Sequence, residues 1–169
     1  MLRDDRIGLL AWSDVPMAAC APDRGARAVL QLRERLASLA TRGAESDPVA
    51  AAVAARRLLR HRGLVVLLTD LEDAALHPLL ARAVRLLSPP HLALVAGIQS
   101  PETAVLARRE AHEARDAWVA LAAQEQEARV QRQAALLRRL GAPVVLAPEA
   151  TIESAVLDAY ESLRRRRRI

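Results

Sequence analysis

Continuous apolar runs of strand length, alternating with stretches of helical spacing, constrain this 169-residue chain more than any other feature. Gly63 to Leu68 and His91 to Ile98 are apolar on both alternate positions, so each implies a strand covered on both faces. Ile7 to Trp12 reads as a further buried strand, Pro143 to Ala147 as the last strand, and Met17 to Ala21 as a short edge strand after the turn Ser13-Asp14-Val15-Pro16. Between them lie helical segments. Val29, Leu32, Leu36 and Leu39 mark one face of a helix over Ala26 to Thr41, stopped by Arg42-Gly43. Ser46 or Asp47 caps a second helix that has Pro48 in its first turn and runs to about Arg60. Asp73 to Leu87 forms a third, ended by Ser88-Pro89-Pro90.

From Ser100-Pro101-Glu102 to Leu140 there is no internal Gly or Pro. One helix of that length would span roughly 55 Å, longer than the domain, so a break is expected near Ala111 to Glu113. Val130, Ala134 and Leu137 give its later part a packing stripe, while Gln124 to Glu127 is expected to project into solvent. Gly141 stops it, and Ile152 to Leu163 closes the chain as a final helix. Strands alternating with helices predict an α/β domain, doubly wound, with a mostly parallel sheet.

Charge excludes one function class. The net charge of +5 is matched by the five arginines 164–168, so the remaining chain is neutral and offers no basic surface for nucleic acid. The run itself reads as a solvated basic tail over residues 164–169. Cys20 is the one cysteine, which rules out an intrachain disulfide and suggests a reducing compartment. The charged start at Arg3 to Arg6 gives no signal-peptide core, and no apolar run approaches the roughly 20 residues needed to cross a bilayer. A soluble, cytoplasmic domain is expected.

In parallel sheets ligands bind at the carboxyl ends of strands, which singles out Asp70. Two readings fit it equally: a hard oxygen ligand for Mg²⁺, or a turn aspartate capping the next helix. A phosphate-loop ATPase is excluded, because the chain has no lysine and no Gly-rich loop ending in one. Asp4 and Asp5 precede the first strand, at the wrong end to serve Asp70 as acidic partners. His61, His77, His91 and His112 lack metal-ligand spacing and read as structural or surface residues. Ser13-Asp14 lacks a nucleophile elbow, and Cys20, with no basic neighbour, reads as inert packing. The residues supply no catalytic constellation.

Three segments carry a resemblance: Asp5-Arg6-Ile7-Gly8-Leu9-Leu10-Ala11-Trp12-Ser13-Asp14, then Leu64-Val65-Val66-Leu67-Leu68-Thr69-Asp70-Leu71, then Leu140-Gly141-Ala142-Pro143-Val144-Val145 followed by Leu157-Asp158-Ala159-Tyr160. In this order they resemble the domain of unknown function 58 family, whose core is a von Willebrand factor A-like domain. The resemblance implies a three-layer, Rossmann-like, non-enzymatic interaction module over residues 1–163. It implies a protein partner, either a MoxR-type AAA+ ATPase or the complexes such an ATPase helps assemble. It also implies a divalent-ion site built from three loops, in which Asp70 matches the third loop and Ser46 falls near the second. The first loop, with the central strand and first helix that carry it, has no counterpart after Met1. A truncated domain is therefore expected, with an incomplete metal site. Losing a central strand would leave buried ladder groups unpaired, each costing on the order of 1–3 kcal/mol against a total stability of about 5–15 kcal/mol. Marginal stability, re-pairing of strands or self-association through exposed strand edges is the expected consequence. The competing reading is a small doubly wound enzyme or nucleotide-binding domain using the same strand ends around Asp70.

Overall fold

The computed structural model describes residues 5–40 and 45–166. It is an α/β structure with two sheets. β1 (Ile7–Trp12) and β2 (Pro16–Asp23) form an antiparallel hairpin, and β3 (Leu64–Leu68), β4 (Leu92–Ile98) and β5 (Val144–Ala147) form a parallel sheet in the order β3-β4-β5. The helices are α1 (Gly25–Ala37), α2 (Pro48–Leu58), α3 (Leu76–Leu87), α4 (Pro101–Ala107), α5 (Ala114–Arg139) and α6 (Glu149–Arg165).

β4 is the centre of the parallel sheet, and its first six residues are all buried. Its register sets Ala93 beside Val65 and Val95 beside Leu67, and these four side chains share one face. On that face they join Leu76, Leu80, Val84 and Leu87 of α3, Val130 and Leu137 of α5, and Ala52 and Ala55 of α2 in one apolar core. α6 packs on β4 and β5 and has little contact with β3. The outer face of β3 is therefore left uncovered: Val66 is 37% and Leu68 is 64% exposed.

Local chemistry sets the helix ends. Asp47 Oδ1 accepts hydrogen bonds from the Val49 and Ala50 amides at 2.9 and 3.0 Å, capping α2 ahead of Pro48. The Asp47 amide donates to the Ser13 carbonyl at 2.8 Å, which ties the cap to the end of β1. Gly141, at φ 89°, takes the left-handed position that stops α5; its amide bonds Arg138 O and the Ala142 amide bonds Leu137 O.

Several expectations are corrected. β1 is not buried: Ile7 is exposed and Leu9 to Trp12 are half-buried, because the hairpin packs on α1 and α2 and is not hydrogen-bonded into the larger sheet. β2 is longer than Met17 to Ala21 and pairs with β1. α1 ends at Ala37, where the Ser38 amide returns to Glu34 O, before the Arg42-Gly43 signal, which lies outside the described residues. α3 begins at Leu76 and not Asp73, because the Asp73 carboxylate bonds the Ala75 amide in a preceding turn. The expected break falls between α4 and α5, from Arg108 to Glu113. α6 begins at Glu149 and continues through Arg165, so the basic run starts inside a helix; Arg167 and Arg168 lie outside the described residues.

The start of that run is anchored. Asp5 Oδ2 accepts from Tyr160 Oη at 2.6 Å and from Arg164 Nη1 at 3.2 Å, joining the residue ahead of β1 to α6. The Asp5 hydrogen bond, then burial, holds the Tyr160 hydroxyl above its usual pKa of 10.0. Tyr160 is the one tyrosine, so its ionisation is expected to appear in an absorbance titration at 295 nm above that value. Asp5→Asn is expected to bring it back down, and an unchanged titration would mean that the contact does not form in solution.

The candidate interaction edge

The strand ends that the sequence points to are built by the loop after β3. Asp70 is exposed, and its Oδ1 accepts from the Glu72 amide at 2.7 Å, the geometry of an aspartate turn. It does not cap α3, whose N-cap is Ala75 without a side-chain bond. The turn drives Leu71 inward, 1% exposed, onto the backbone of Gly97 in β4. A Cβ at Gly97 would lie 2.9 Å from Leu71 Cδ1 and 3.2 Å from its Cγ, so the loop sits where β4 has no side chain.

α5 fixes the same loop from the side. Gln126 Nε2 donates to Glu72 O at 2.8 Å, and buried Gln133 donates to His77 O at 2.9 Å. His77 Nε2–H donates in turn to Leu71 O at 2.9 Å. Glu72 Oε1 accepts from the Ser100 amide at 3.3 Å, linking the loops after β3 and β4. The expectation that Gln124 to Glu127 projects into solvent holds for Gln124 and Glu125, which are exposed, and is corrected for half-buried Gln126 and Glu127; Gln124 also donates to Ala107 O, at 2.9 Å. The signal for Gln133 was present: an amide beside Ala134 on the stripe of Val130 and Leu137 must find a buried acceptor.

The result is a rigid edge with exposed apolar side chains. Leu68 and Ile98, the last residues of β3 and β4, are 64% and 52% exposed. Ser46 is half-buried ahead of the α2 cap, and no hydrogen bond joins it to Asp70. Among the described residues no three His, Cys, Asp or Glu side chains converge. Asp70 and Ser46 do not by themselves make a divalent-ion site, because such an ion takes six or more oxygen ligands.

The remaining candidates lie elsewhere. His61 and His112 are exposed, and Cys20 is half-buried in β2 opposite Leu9. Ser13 is buried, and its carbonyl serves the α2 cap. His91 is buried at the opposite edge of the sheet, beside a shallow depression lined by Arg62, Ser88 and Gly141. Its Nδ1 has no hydrogen-bond partner. Burial, then the positive charge of Arg56, lowers its pKa below 6.5. The unfolded chain therefore binds a proton at higher pH than the folded one. The His91 contribution to stability is present above pH 6.5 and is lost as pH drops from there toward the folded-state value. Urea unfolding is expected to show this loss, and His91→Gln is expected to reduce it.

Among the described residues no helix is long and apolar enough to cross a membrane. Set against known proteins, the chain matches no family model, no curated protein and no solved structure.

Proposed function

We propose that this chain is a non-enzymatic protein-interaction module, a von Willebrand factor A-like domain of the domain of unknown function 58 type, that serves a MoxR-type AAA+ ATPase in assembling other proteins. The observation that carries this reading is the edge around Asp70. Leu68 and Ile98 stand exposed at the ends of β3 and β4, next to a loop held from two sides by α5 and β4. A fixed edge with exposed apolar side chains suits a protein surface, because its elements need no reorganisation on binding. Two further features support the von Willebrand factor A-like reading. The core sheet is parallel, and the β1–β2 hairpin forms a separate sheet beside the same core.

Thermal unfolding separates this reading from a nucleotide-binding one. A MoxR-type ATPase from the same genome is expected to raise the midpoint of the chain, and ATP, GTP or NAD alone to leave it unchanged. Ile98→Arg is expected to abolish the ATPase-dependent shift without lowering the midpoint of the free chain. A shift with nucleotide alone would favour the doubly wound nucleotide binder.

A further inference from the structure

The uncovered edge of β3 has a symmetry of its own. The Leu92 amide bonds Gly63 O, and the Thr69 amide bonds Ala96 O. With the two-residue period of a strand, Gly63, Val65, Leu67 and Thr69 turn their backbone groups toward β4. Leu64, Val66 and Leu68 turn theirs outward, where no strand of the described residues pairs with them. Their side chains also lie on the face that α6 leaves open. The flanks carry opposite charge: Arg60 and Arg62 precede the strand, and Asp70, Glu72 and Asp73 follow it.

We infer that this edge pairs with a second copy of the same strand, antiparallel across a two-fold axis through Val66. In that register Val66 faces its own copy, and Leu64 faces Leu68 of the other copy. All of these are outward-turned residues, so each facing pair exchanges both of its backbone hydrogen bonds. Just beyond the strand ends, the same register brings Arg62 toward Asp70 of the other copy. Any other register sets a charge against an apolar residue or turns inward-facing groups to the partner. Arg62 also interacts within its own chain, and the five N–H donors of its guanidinium serve both contacts. Leu64, Val66 and Leu68 of the two copies then form one apolar strip across the joined sheet. The occupant is a second copy because the charge pattern is complementary to its own reverse. This pairing does not depend on the ATPase reading, and failure of either leaves the other standing.

Sedimentation equilibrium is expected to give twice the 18.4 kDa chain mass at high concentration. Arg62→Asp and Asp70→Arg, each alone, set like charges opposite one another twice per dimer. Each is expected to raise the dissociation constant by roughly tenfold or more. An equal mixture of the two variants restores both pairs and is expected to dimerise with the affinity of the unaltered chain. Val66→Pro removes an outward amide that serves nothing inside the monomer, and it is expected to give a folded monomer. Circular dichroism identifies any variant that fails to fold, and the charge exchange and the proline test then stand in for one another. An unaltered chain that stays monomeric up to roughly 1 mM would overturn the inference, whatever else then binds the edge. So would single variants that dimerise undiminished, a mixture no tighter than its components, or a Val66→Pro chain that still dimerises.

Discussion

Leu71→Ala is expected to destabilise the chain by about 2–5 kcal/mol, the usual cost of removing a buried leucine side chain without collapse of the cavity. Leu71 is not in a helix or strand; it belongs to the turn after β3, yet it is among the most buried side chains in the molecule. It lies over Gly97, which makes the two positions a coupled pair. Gly97→Ala alone forces a methyl group against Leu71 Cδ1 and is expected to cost about 1–3 kcal/mol. In the Leu71→Ala background the two nearest atoms, Leu71 Cδ1 and Cγ, are gone, and the next, Leu146 Cδ2 at 3.3 Å from the new Cβ, remains. The double variant is therefore expected to be more stable than the sum of the single losses allows. Urea midpoints at unchanged slope give the three values. Strict additivity would mean that the turn does not rest on β4 in solution, and the candidate edge would lose its support.

Leu67→Ala and Leu68→Ala are expected to differ sharply although the residues are neighbours in one strand. Leu67 is 3% exposed among α3 and α5 side chains, and its truncation is expected to cost about 2–5 kcal/mol. Leu68 faces the uncovered side, and its truncation is expected to change the stability of the monomer by no more than about 0.5 kcal/mol. Equal losses would show that a layer covers the outer face of β3.

That contrast marks where the sequence ceased to be legible. The apolar run over β3 and the one over β4 look alike, and both read as strands covered on two faces. An apolar run reports what a strand can tolerate; coverage depends on which helices reach it. α6 reaches β4 and β5, so β4 is buried from Leu92 to Gly97 and β3 is not. The cap at Asp47 and the stop at Gly141 were legible because each acts within a few residues of chain. The hairpin was legible only in part. Its turn at Ser13 to Pro16 is a clear signal, whereas the failure of β1 to join the larger sheet is a tertiary outcome with no local mark.

At the candidate edge, Asp70 was found from its place after a strand; it makes a turn, as one of the two readings has it, but does not cap the helix that reading gives it. Leu71 and Gly97 were not found, since they lie 26 positions apart and meet only when two parallel strands align. Gln126 was misread because an amide on a helix looks solvated until its acceptor is known, whereas Gln133 carried a signal in its place on the apolar stripe. Their acceptors are backbone carbonyls of residues 54 and 56 positions away.

The most direct test of the interaction role is a titration of the purified chain with a MoxR-type AAA+ ATPase from the same genome, followed by sedimentation velocity in ATP and without nucleotide. The expected result is a saturable complex that Ile98→Arg abolishes while the free chain keeps its fold. No complex in either condition, from a chain shown by circular dichroism to be folded, would contradict the proposed function.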